Sequence, residues 1–102
     1  MTYTDTQLKQ TLAKMLPEMI EWRTITEMLW WKHKDGQIYK PVLDTELLYL
    51  CWLVEETLMD TYSDYYEYLA AAKHSVYRDA ALCHATWQQR TIALAKVKNI
   101  TI

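Results

Sequence analysis

The chain has no phenylalanine, one glycine, two prolines and two cysteines. The single glycine excludes the glycine-rich loops that hold phosphates, and it argues against sandwiches and barrels, which need many tight turns. Two cysteines, Cys51 and Cys83, are too few for a disulfide framework, so we expect a reduced, intracellular protein of the cytoplasm. The first residues show neither the basic nor the apolar part of a signal peptide, which agrees with that expectation.

Basic residues are missing from positions 44–72, although seven acidic side chains lie there. Positions 73–102 carry five basic residues and one acid. In one interpretation the acidic and basic helices pack side by side and neutralise each other. In the other, the acidic segment forms a face that attracts a basic surface of a partner. Scattered cations and a pI near 5.9 argue against direct binding to nucleic acid.

Every aromatic side chain carries a polar group, because the chain has five tryptophans and eight tyrosines but no phenylalanine. Such side chains suit surfaces that are apolar on one side and wet on the other, including interfaces. Half of the 102 residues are hydrophobic and a quarter are charged, a balance typical of one globular domain over residues 1–102. The longest apolar stretch is too short to span a bilayer, so no membrane association is expected.

The first half of the chain predicts a helix followed by a hairpin, and residues 21–33 carry signals of both helix and strand. Thr4 and Gln7 form a capping-box pattern before a helix from about Asp5 to about Ile20, which Pro17 would kink or restart. The pair Asp35-Gly36 predicts a β-hairpin of roughly Met28–Lys34 with Gln37–Lys40, in which Trp31 lies opposite Lys40 and His33 opposite Ile38.

The second half predicts two or three helices. The first, about Thr45 to Met59, is apolar on nearly all sides, so we expect residues 47–54 to be buried as the centre of the domain. A break is expected at residues 60–63, followed by helices at about Asp64–Lys73 and Ala80–Lys98. The predicted fold class is mainly α (α+β): an N-terminal helix, one short β-hairpin, then two or three helices around a buried central helix.

Two sets of side chains are candidates for binding a partner. The first is an aromatic stripe at helical spacing, which is either core packing or a binding face: Tyr62, Tyr65 and Tyr66. The second is an acidic row, which is either a solvated face or, if residues 45–73 form one helix, a surface that imitates a phosphate backbone: Glu56, Asp60, Asp64 and Glu67.

No chemistry-bearing motif is present. The histidines and cysteines match no zinc spacing, and Cys51 lies in an apolar run where it is expected to be inert. Adjacent Glu55 and Glu56 diverge around a helix and form no acid–base pair. We therefore expect no catalytic residue, metal or cofactor.

Three phrases, LKQTLAKMLPE (8–18), VLDTELLYLCW (42–52) and HATWQQR (84–90), resemble small uncharacterised accessory proteins encoded in phage and prophage genomes. The resemblance implies a protein that binds and inhibits a host factor, such as a defence system of the CRISPR type. The leading hypothesis is thus a non-enzymatic protein-binding module. The alternatives are a self-assembling accessory protein with a homo-oligomer interface and a binder of a nucleotide or another small ligand.

Overall fold

A computed structural model of the chain describes residues 2–72 and 84–102. Its elements are α1 (Asp5–Met15), β1 (Ile20–Arg23), β2 (Met28–Lys32), β3 (Ile38–Pro41), α2 (Leu47–Glu55), α3 (Tyr62–Ala72) and α4 (Trp87–Val97). Short 3-10 turns precede α2 at Asp44–Glu46 and α3 at Met59–Thr61. The fold class is α+β. The predicted helix limits at Lys73 and Ala80 lie outside the described residues.

Helix α1 begins where the sequence predicts and ends earlier. The Oγ1 of Thr4 accepts from the Gln7 amide at 3.1 Å, and Oε1 of Gln7 accepts from the Thr4 amide at 2.8 Å, which is the predicted capping box. The helix stops at Met15, not near Ile20. Pro17 explains the difference, because proline disfavours helical geometry in the residue before it, and Leu16 has left the helix with φ −128° and ψ 57°.

The sheet contains the predicted hairpin and one strand more. Strands β2 and β3 are antiparallel, and Trp31 lies opposite Lys40 as predicted. Ile38 lies opposite Lys32, not His33, because an irregularity between Trp31 and Lys32 shifts the register. Strand β1 pairs with the other edge of β2, so the order is β1-β2-β3. Gly36 adopts a φ of +92° in the β2–β3 turn, a conformation that glycine permits.

The helix at the centre of the packing is α4, not α2. Helix α4 contacts each of α1, α2 and α3. Five of its residues are buried, and small alanines among them allow the neighbouring helices to approach closely: Arg90, Thr91, Ala93, Leu94 and Ala95. Thr86 and Gln89 cap its start with a second capping box.

Candidate docking face

Helix α2 buries one side only. Leu47, Leu50, Cys51 and Val54 are at most 2% exposed, but Tyr49 and Trp52 on the opposite side are each 48% exposed. The prediction that residues 47–54 are all buried is therefore wrong. An apolar helix nine residues long can be covered on one side while its other side lies at the surface, and the sequence alone does not distinguish the two sides.

The outward side of α2 continues into an acidic residue. Glu56 retains helical backbone geometry, and its amide donates to the carbonyl oxygen of Trp52 at 3.1 Å. Residues 49, 52 and 56 thus follow helical spacing on one side of the helix. Glu56 is exposed. The surface of α2 therefore presents two half-exposed aromatic rings followed by a carboxylate.

The predicted aromatic stripe is divided by the packing of α3. Tyr65 has no exposed surface and lies in the core, and its hydroxyl donates to Oε1 of Glu55. It is therefore not available to a partner, which corrects its assignment to a binding face. The inward side of α3 runs through Tyr65 and Leu69, four positions apart, so a tyrosine on the core side follows the same spacing as a tyrosine on the surface.

Tyr62 and Tyr66 remain at the surface as half-buried rings. Their ring centroids lie 5.6 Å apart with a tilt of 44°. Burial raises the pKa of the Tyr62 hydroxyl, and Tyr66, Glu55 and Glu56 raise it further. The short segment 56–61 joins the end of α2 to the start of α3, where Tyr62 lies.

The acidic row does not form as one helix face, because residues 56–61 separate α2 from α3. Asp60 lies in the 3-10 turn, whereas Asp64 and Glu67 lie on α3, and all three are exposed. Within α3, helical spacing places Asp64 and Glu67 on the side opposite Tyr65 and Leu69, whereas Tyr62 and Tyr66 lie at the edge of the buried side. We use the name docking face for the surface side chains of α2, the 3-10 turn and α3 that are candidates for contact with a partner: Tyr49, Trp52, Glu56, Asp60, Tyr62, Asp64, Tyr66 and Glu67.

A buried ion pair involves Glu55, the residue that precedes Glu56 of the docking face. Nη1 of Arg90 on α4 donates to Oε1 of Glu55 at 2.6 Å, and Nε of Arg90 donates to the Ala85 carbonyl at 3.3 Å. The same Glu55 oxygen accepts from Tyr65. Glu55 therefore joins α2, α3 and α4 at one point. The sequence alone does not show that Arg90 is buried.

Tyr68, on another side of α3, contacts a lysine of the same chain. Tyr68 is 41% exposed, and Nζ of Lys96 on α4 lies 5.7 Å from the centre of its ring. Together with the Arg90–Glu55 pair, this contact supports the prediction that the acidic and basic helices pack side by side.

The other candidate residues do not form a reactive or metal-binding site in the part of the chain that the structure describes. Burial raises the pKa of Cys51 to about 12, with the hydroxyl of Thr91 3.5 Å from its sulfur, so the thiol stays neutral near pH 7. Within residues 2–72 and 84–102, no three His, Cys, Asp or Glu side chains are close enough together to hold a metal ion. None of the helices in these ranges is both long enough and apolar enough to cross a membrane.

One candidate location for a small ligand is an open groove between α1 and β1. Lys14, Trp22 and Lys32 are among the residues that line it. Nζ of Lys14 already donates to the Thr101 carbonyl at 3.2 Å. The groove is shallow and holds charges of both signs, which is unlike the enclosed apolar pockets that bind small molecules.

No protein-family model matches this chain, and comparisons with curated proteins and with solved structures also found no match. The proposals below therefore depend on the geometry of the chain and, for the phage context, on the three phrases quoted above.

Proposed function

We propose that the chain is a small, non-enzymatic protein-binding module that uses the docking face to engage a basic surface of another protein. The observation that carries the proposal is the exposure of Trp52. A tryptophan that is 48% exposed on the most apolar helix keeps apolar surface in water, and covering it would release free energy. Tryptophan and tyrosine are also the residues that most often dominate binding at protein interfaces.

The charge of the docking face specifies the kind of partner. Positions 44–72 contain seven acids and no lysine or arginine, and four of these acids are exposed members of the docking face: Glu56, Asp60, Asp64 and Glu67. Opposite charges across an interface raise the association rate and disfavour acidic partners. A protein surface rich in lysine and arginine is thus the complementary occupant, with Trp52 and Tyr49 as apolar anchors within the contact.

The three phrases that resemble phage accessory proteins support a narrower form of the proposal. In this form the partner is a bacterial host protein in the cytoplasm, and the chain inhibits it by covering its basic surface. A defence protein that binds nucleic acid would offer such a surface, because nucleic-acid channels are basic. Acidic side chains held on a folded surface could compete there with phosphates.

The test compares three baits in a bacterial lysate. They are the wild-type chain, a Trp52→Ala/Glu56→Lys variant, and an Ile25→Ala/Glu18→Lys control. The control makes the same change of net charge and truncates Ile25, which is fully exposed far from α2 in the sequence. We expect the wild type and the control to retain the same basic protein, and the docking-face variant to retain at least about tenfold less of it.

Two further measurements test the proposal. Retention should fall as salt is raised, because exposed charges are screened. The activity of the captured protein should fall when the wild-type chain is added and should persist with the docking-face variant. Equal retention by all three baits would contradict the docking face. Retention without loss of activity would contradict inhibition alone.

A further inference from the structure

The side of the sheet away from the core carries both apolar and charged side chains at the surface. Residues directly opposite each other on paired strands share a face, so Glu21, Trp30 and Pro41 form one row across the three strands. Arg23 lies opposite Met28 in the next row. We name the surface formed by these five residues the outer sheet face.

The other side of the sheet is the one that the helices cover. Ile20, Leu29 and Trp31 are buried in the same core cluster as Leu12 of α1. On the outer sheet face Met28 is 40% exposed and Trp30 is half-buried. Among the described residues, helix α1 is the helix that packs on β1 and β2, and it does so from the core side.

Trp30 presents an apolar ring on this face. Its Nε1 donates to Oγ1 of Thr26 in the β1–β2 turn at 3.0 Å, so the polar atom of the indole already has a partner within the chain. The ring lies between Glu21 on one strand and Pro41 on the other. A partner that covers it gains apolar burial without having to supply a hydrogen bond.

The charges of the outer sheet face are self-complementary. Arg23 and Glu21 form an ion pair within β1, and their side chains keep 47% and 36% of their surface exposed. A two-fold axis places a patch against the same patch of a second copy, so each Arg23 can then face a Glu21 across the contact. The docking face has no such property, because two copies would bring carboxylates together.

We infer that the outer sheet face binds a second copy of this chain through a two-fold contact centred on Trp30, with Glu21 and Arg23 pairing between the copies. The docking face stays open in this dimer. The inference is independent of the proposed function, and Trp52→Ala should leave the dimer unchanged.

The test is a charge-reversal experiment on the full chain, with mass measured by analytical ultracentrifugation from low micromolar to submillimolar concentration. The wild type should be a dimer at the upper end of this range. Glu21→Arg and Arg23→Glu each place two like charges on the face, and each variant alone should be a monomer. Mixed in equal amounts, the two variants should form a heterodimer.

The mixture separates an interchain contact from an effect on folding. The ion pair within β1 is broken in both variants, so only complementarity between chains can restore association. The matched controls, Glu18→Arg and Lys34→Glu, change net charge to the same extent at exposed positions off this face and should dimerise like the wild type. Met28→Asp should also abolish the dimer, because it replaces an apolar side chain of the contact with a carboxylate that competes with Glu21 for Arg23.

Three outcomes would overturn the inference. One is a wild-type chain that stays a monomer throughout the range, which would leave this face to a different occupant or to solvent. Another is a mixture of the two variants that stays monomeric. The third is a dimer that Trp52→Ala disrupts and Met28→Asp does not, which would place the contact on the docking face.

Discussion

Arg90 on α4 and Glu55 at the end of α2 form an ion pair of 2.6 Å in which the two side chains are only 5% and 12% exposed. Tyr65 of α3 donates to the same carboxylate, so the contact connects three helices beneath the docking face. Burial alone would lower the pKa of Arg90, but Glu55 and Tyr65 beside it raise this pKa above its ordinary value, and the guanidinium remains charged. The helix that carries the exposed rings, α2, is therefore connected to α3 and α4 through the Glu55 carboxylate.

Removing either partner of this pair should destabilise the fold strongly. Arg90→Met leaves the Glu55 carboxylate buried without its cation, and we expect a loss of about 3–5 kcal/mol in the free energy of unfolding. Glu55→Met should cost a similar amount. The double variant should lose much less than the sum of the two, because it leaves no uncompensated charge. Urea denaturation of all four proteins measures the coupling, and additive losses would contradict it.

Two residues of α2 that lie two positions apart should respond differently to truncation. Leu50 has no exposed surface, and Leu50→Ala should cost about 2–5 kcal/mol because it leaves a cavity in the core. Trp52→Ala removes a larger side chain from the surface and should cost less than about 1 kcal/mol. Urea denaturation of the two variants measures the difference. A larger loss for Trp52→Ala would show that this ring belongs to the core.

Glu46 should give the fold a defined dependence on acid. The Leu43 amide donates to its carboxylate at 2.9 Å and Nε1 of Trp31 donates at 3.3 Å, and both hydrogen bonds lower the pKa of Glu46 below its ordinary value of 4.5. Because the pKa is lower in the folded state, the stabilisation is present above the unfolded value. It is lost as the pH falls through the folded value.

Glu46→Gln should therefore be less stable than the wild type near neutral pH, and the difference should close in acid. Thermal unfolding at about pH 7 and again at about pH 3 compares the two proteins under both conditions. Asp44→Asn is a useful control, because its carboxylate is largely exposed and makes one long contact with Lys9 at 3.6 Å. A Tm difference that stays constant with pH would rule out the carboxylate as the source.

Cys51 should react with thiol reagents only when the protein unfolds. Its pKa of about 12 keeps it neutral at ordinary pH, and it has no exposed surface. In a Cys83→Ser background, labelling should be slow in buffer and should reach the rate of a free thiol in concentrated urea. Rapid labelling of the folded protein would show that α2 opens locally.

The features predicted correctly from the sequence are those that depend on neighbours along the chain. The capping box of Thr4 and Gln7 and the turn at Asp35-Gly36 are set by residues three or fewer positions apart. The sequence does not predict strand β1, because residues 21–33 combine positions that fit a helix with positions that fit a strand. In the folded chain, pairing with β2 makes this segment a strand.

The features predicted wrongly depend on contacts between distant elements. Trp52 was assigned to the core because the apolar run around it does not show which side of α2 the other helices cover. Tyr65 is buried although it shares its helical spacing with the half-buried Tyr62 and Tyr66, and that spacing leaves core packing and a binding face as alternatives. Arg90 is buried next to Glu55, which lies 35 positions away in the sequence. A sequence pattern contains no direct information on such a pair.

The most direct measurement of the central claim is site-specific photo-crosslinking from the docking face. A photoreactive amino acid replaces Trp52 in the full chain in bacterial cells, and in a second strain it replaces Ile25, which is the most exposed large apolar residue of the described chain. We predict a covalent adduct with one basic protein from position 52, weakened by Glu56→Lys, and none with that protein from position 25. Equal yields at both positions, no adduct at position 52, or an adduct there with a second copy of the chain would contradict the claim.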